Sequence, residues 1–110
     1  MPLALRLRRL PVAVVLGREV RVAVGTRARL LGLSHLDRDQ VGSGLLIPRC
    51  ASVHTFGMRF ALDVYFLDGE GTVVSVRRGI RSRRVVFCCT AAAVLEVPAV
   101  EGGEFFAPRP

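Results

Sequence analysis

The stretch from Met58 to Val76, MRFALDVYFLDGEGTVVSV, constrains the fold more than any other part of the chain. Every second residue from Met58 is apolar: Met58, Phe60, Leu62, Val64 and Phe66. Successive side chains of a strand point to opposite faces, so this set predicts a strand with one face given wholly to a core. The other face, Arg59, Ala61, Asp63, Tyr65 and Leu67, is mixed and predicts a groove, a loop or water above it. Asp68-Gly69-Glu70-Gly71 then turns the chain. A three-residue loop of Gly69, Glu70 and Gly71 pairs Asp68 with Thr72 and asks Gly71 for a positive φ. That register sets Phe66 opposite Val74 and Val64 opposite Val76, apolar against apolar.

The rest of the chain reads as further short strands. PVAVVLGREVRVAV gives two strands around Gly17-Arg18, with Val20, Val22 and Val24 on one face. Thr26 is placed to cap a short helix that carries Ala28 and Leu31, with Leu30 a further candidate, on one face, and Gly32 ends it. SHLDRDQVGSG is a polar loop. GLLIP is a short buried strand stopped by Pro48, VVFCC is another, and AVLEV is a third with Leu95 on one face and Glu96 on the other. Short strands between turn signals predict a mainly β domain, a compact sandwich or partly closed barrel with one short helix. A chain of 110 residues makes one domain, 1–110, with an irregular tail over 100–110. Phe105 and Phe106 in that tail are either a core plug or an exposed partner motif.

Composition removes several chemistries. All 16 basic residues are arginine, so no side chain can form a lysine Schiff base, fill a phosphate-loop lysine position or make a serine–lysine dyad. Three cysteines, two of them adjacent, do not make a secreted disulfide framework. The apolar run from Leu10 to Leu16 is followed by Arg18 and Glu19 instead of a cleavage site, and no segment approaches a membrane span. A cytoplasmic location is expected. The net charge of +7 attracts anionic partners, nucleic acid among them. The arginines concentrate in RRGIRSRR, where Arg77, Arg78, Arg81, Arg83 and Arg84 form a candidate anion-binding loop. Tryptophan is absent and there is one tyrosine, so base-stacking platforms are scarce.

Candidate site residues gather just before the hairpin, in CASVHTFGM. Cys50 and His54 have the makings of a thiolate–imidazole pair, with Asp63 the nearby acid. The structural alternative is a buried thiol that packs as a small hydrophobe and a histidine bonded in a loop. Zinc is the other option: Cys50, His54, His35 and one of Cys88 and Cys89 supply donors, but C-x-x-C and H-x-x-H spacings are absent. No cofactor is expected. The pattern favours a small-ligand pocket formed by Cys50, His54, Thr55, Met58 and Asp63, with SVHT folding back over the mixed strand face so that His54 approaches Asp63.

The order of pieces, a short helix with Arg29 and Gly32-Leu33, then CASVHTFGM, then LDVYFLD-G, then VLEV, resembles the domain of unknown function 192 family over residues 20–99. The resemblance implies a small, mainly β fold and no established activity. The chain lacks the proline that the resemblance implies near residues 80–82, and VEGGEFFAPRP replaces the family's closing helix and strand, a departure that implies an exposed sheet edge for a partner or Phe105 and Phe106 to cover. The function expected is a non-catalytic ligand-binding or accessory protein with an unidentified small-molecule or protein partner. A metal- or cysteine-dependent enzyme and a nucleic-acid or anion-binding module are the alternatives.

Overall fold

The computed structural model describes residues 3–100. The tail expected to plug the core or meet a partner through Phe105 and Phe106 lies outside the described residues. The strands are β1 (Val12–Val15), β2 (Arg18–Val22), β3 (Leu45–Pro48), β4 (Ser52–His54), β5 (Leu62–Leu67), β6 (Val73–Ile80), β7 (Val85–Phe87) and β8 (Ala93–Pro98). Six form one sheet in the order β1-β2-β3-β8-β5-β6, and β4 and β7 pair as a separate two-stranded ribbon. The fold is mainly β and sandwich-like, without a closed barrel. All neighbouring pairs are antiparallel except β2 with β3. That parallel pair needs a crossover, which holds the helix α2 (Thr26–Leu31) and a 3₁₀ turn over Arg38–Gln40.

Among the described residues there are two short α-helices where the sequence predicts one. The added helix, α1 (Leu5–Arg8), has no side-chain cap and is too short to show a period. Tertiary contacts hold it. Leu7 is buried in the main core, and the Arg6 guanidinium donates to the Gly32 and Ser34 carbonyls, at 2.9 and 2.7 Å, at the end of α2. Gly25, not Thr26, is the N-cap of α2, and Thr26 is its first residue. Gly32 ends α2 with φ 54°, as its sequence position predicts.

The core face of β5 is the one the alternation marks. Leu62, Val64 and Phe66 are fully buried with Met58, Leu45, Ile47, Val53 and Val94 in the main cluster. α1 and the ribbon lie on this side, contributing Leu7 and the Val53–Val86 pair, and Ala28 of α2 packs there too. The opposite sheet face carries a smaller cluster of Val20, Leu67, Leu95 and Val97.

The β5–β6 turn has the predicted three-residue loop. Asp68 N–H donates to Thr72 O at 2.9 Å, and Gly71 has φ 83°. The pairing beyond it differs from the apolar-against-apolar register. A bulge after Val73 adds one residue to β6, so Phe66 lies opposite Ser75 and Val64 opposite Arg77. A second irregularity falls between Leu62 and Val64, where Gly79 takes φ 63°. Because β6 is the sheet's outer strand, its slip leaves the β5 core face unchanged.

Candidate functional site

Val53 and Met58 decide where CASVHTFGM goes. Both are buried in the main cluster, so the segment folds over the Val64 side of the sheet and not over the mixed face of β5. His54 therefore comes to α2. Its Nδ1 accepts from Phe56 N–H at 3.2 Å, which leaves Nε2–H to donate to Leu30 O, also at 3.2 Å. Its ring lies 5.7 Å from that of Phe56.

Asp63 is on the other face. Its Oδ1 accepts the Gly79 N–H at 2.8 Å, which fastens the bulge in β6. Its Oδ2 is 3.6 Å from the Arg78 guanidinium, which also lies 5.6 Å over the Tyr65 ring. The expected approach of His54 to Asp63 around one pocket is not met: the two side chains serve different sheet faces. Thr55 is fully buried and fastens the arginine loop. Its hydroxyl donates to Arg81 O at 2.7 Å and accepts from Arg84 N–H at 2.8 Å, while its backbone bonds Arg83 and Arg84. Met58 is core. Cys50 donates to Ser52 O at 3.0 Å, apart from the bonds of His54, so the two do not form a bonded dyad. Cys88 and Cys89 follow β7 and are not part of it. The Thr90 hydroxyl, 3.4 Å from Cys88 Sγ, holds that thiol below its ordinary pKa, against a smaller opposing effect of desolvation. No group of three or more His, Cys, Asp or Glu placed to hold a metal ion occurs among the described residues.

Arg77, Arg81, Arg83 and Arg84 present exposed side chains, and Arg78 is the half-buried partner of Asp63. The 81–84 loop is thus a fixed backbone with guanidinium groups directed to solvent.

The structure adds a residue that the sequence reading did not single out as a site. Glu96 lies in β8 between Leu45 of β3 and Val64 of β5, on the core face. It is only 3% exposed. Its Oε1 has no hydrogen-bond partner among the described residues. Burial pushes its carboxyl up to about 7, against the smaller opposing effect of the Leu33 backbone amide. Glu96 forms part of a cleft of about 350 Å³ between α2 and the ribbon, lined also by Arg29, Leu30, Gly32, Ile47, Ser52, Val53, His54 and Val85. A Cβ on Gly32 would sit 2.7 Å from Glu96 Oε1, so glycine is what lets the helix end approach the acid. The Arg29 guanidinium donates to Pro48 O and Arg49 O and ties α2 to the end of β3. The signal for Glu96 was a lone acid in an otherwise apolar VLEV.

Two solved structures share this architecture. A protein from Sinorhizobium meliloti 1021, provisionally named a transcription regulator, superposes with TM-score 0.62 at 22% identity, covering 80% of this chain and 77% of its own. A protein of unknown function from Novosphingobium aromaticivorans DSM 12444 does so with TM-score 0.61 at 14% identity, covering 96% and 93%. At these identities the likeness is one of fold. No curated protein matches the chain. The model of the domain of unknown function 192 family, described as "Uncharacterized ACR", matches residues 13–104. With the helix, CASVHTFGM and VLEV segments all inside that span, the chain belongs to the domain of unknown function 192 family.

Proposed function

We propose that the protein is a non-catalytic ligand-binding or accessory domain whose pocket is the cleft between α2 and the β4–β7 ribbon. The observation that carries this reading is Glu96, a buried acid with one oxygen unpartnered among the described residues, which is one of the residues lining a cavity. Buried polar groups are normally satisfied within the fold, and an exception in a concave, largely apolar site is how small-ligand sites are built. His54 and Ser52 belong to its rim, and Thr55 and Met58 hold the surroundings in place. All three cysteines are free thiols, which suits a reducing, cytoplasmic setting.

The test is a fragment screen read by backbone-amide shifts. Hits should perturb residues 29–32, 47, 52–54 and 96, and Leu30→Arg, at a position 66% exposed, should remove them without unfolding the protein. Hits confined to other surfaces, or persisting unchanged in Leu30→Arg, would reject the cleft.

The pinned 81–84 loop supports a second reading, an anion- or nucleic-acid-binding module. Its mark is binding to a DNA or RNA duplex that weakens steeply with salt.

A further inference from the structure

We propose that the cleft binds a small amphiphile headed by a primary ammonium group, with its head on Glu96 and its hydrocarbon body along Leu30, Ile47 and Val85. This deepens the pocket reading above and rests on it.

The head follows from the acid. Glu96 is almost wholly buried and Oε1 lacks a partner among the described residues. A carboxylate oxygen only accepts, so its complement is a donor, and a buried negative charge also asks for a cation. A hydroxyl satisfies the first need alone; an ammonium satisfies both. Arg29 is committed to the Pro48 and Arg49 carbonyls. The chain has no lysine, so neither it nor a second copy has a side-chain ammonium to offer.

The body follows from the walls. Leu30 and Val85 are 66% and 64% exposed at the mouth, and Ile47 is buried deeper. These apolar surfaces flank a volume of about 350 Å³, at the small end of the usual range for ligand sites. The net charge of +7 opposes cations at long range, but salt screens exposed charges beyond roughly 8 Å at physiological ionic strength.

The charge state of Glu96 gives the proposal a signature. Arg29 of α2 and His54 of β4 are the charged and titratable groups facing the cleft; β3, β5 and β7 bring Leu45, Ile47, Val64 and Val85. With burial holding the acid near 7, it is mostly neutral at pH 6 and mostly ionised at pH 8. An ammonium selects the ionised form, so affinity rises with pH.

The probes are n-hexylammonium, n-hexanol and hexanoate, titrated into the full chain at pH 6 and pH 8 by calorimetry and amide shifts. Hexylammonium should bind at the cleft about tenfold more tightly at pH 8, the ratio of ionised Glu96 at the two values. Hexanoate should not bind. Glu96→Gln should erase both the pH ratio and the preference over hexanol. If that variant does not fold, Val85→Arg at the exposed rim serves instead, and should weaken hexylammonium by about tenfold or more, the scale of 1.4 kcal/mol. A pH ratio that survives Glu96→Gln, or equal binding of hexanol and hexylammonium, overturns the ammonium assignment and leaves the cleft standing. If none of the three binds, the assignment falls, and the fragment screen decides the cleft by itself.

Discussion

At the scale of single residues, Glu96 and Asp63 show what one-sided patterns conceal. Both are acids inside apolar strands, and alternation correctly puts each on the face opposite its neighbours. Which face the ribbon covers is fixed by non-local pairing and by Val53 and Met58, whose burial carries it to the Glu96 side. Hence Asp63, the expected pocket acid, fastens a bulge, and Glu96 lines the cleft. The acid also has a consequence for stability. Its carboxyl rises from an ordinary 4.5 to about 7 on folding. The folded state therefore holds the proton more tightly, and the neutral form stabilises the domain. That contribution is complete below pH 4.5 and lost as pH rises through 7; at 1.36 kcal/mol per unit it is on the order of 3 kcal/mol. Urea unfolding of the wild type and Glu96→Gln should show it. Wild-type stability relative to the variant should be greater at pH 5 than at pH 8, by roughly 2–3 kcal/mol. An equal difference at both values would mean that Glu96 is not held neutral.

At the scale of elements, the turns were more legible than the registers. Asp-Gly-Glu-Gly specified its loop through local chemistry, whereas the two β6 irregularities depend on Asp63 and on the outer position of β6 among the described strands, neither visible in a window of residues. The short α1 was invisible for the same reason: Leu7 and Arg6 stabilise it only once the fold exists. Two glycines separate local cost from packing cost. Gly71 has φ 83° and open space around its missing Cβ, so Gly71→Ala should cost about 1 kcal/mol from the backbone alone. Gly32 adds a close approach to Glu96, so Gly32→Ala should cost about 1–3 kcal/mol for the backbone and more for displacing the acid. Combining Gly32→Ala with Glu96→Ala should recover the second part. Strictly additive losses would show that the two residues do not press on one another.

At the scale of the whole molecule, composition foretold a basic domain and the strand and turn pattern a mainly β one, but not the layering of a six-stranded sheet beneath a separate ribbon. The arginine loop is a whole-molecule feature, because its shape comes from Thr55 and its charge from exposed side chains. Replacing Arg81, Arg83 and Arg84 with Ser should change stability by no more than about 0.5 kcal/mol each. If the loop holds a nucleic acid, the same triple variant should reduce the salt slope by about one per lost phosphate contact. The sheet order has a further consequence, for the chain as it is made. β8 pairs with both β3 and β5, so the strand that joins the two halves of the sheet is the last of the eight to leave the ribosome. Until then β3 and β5 each present an unpaired edge to solvent or to a neighbouring nascent chain, a template for chaperone capture or aggregation. A fragment ending at residue 92 should remain protease-sensitive, and adding residues 93–100 should convert it to a resistant domain in a single step. The interval between synthesising Val64 and its partner Glu96 is therefore one in which the central seam of the sheet stands open.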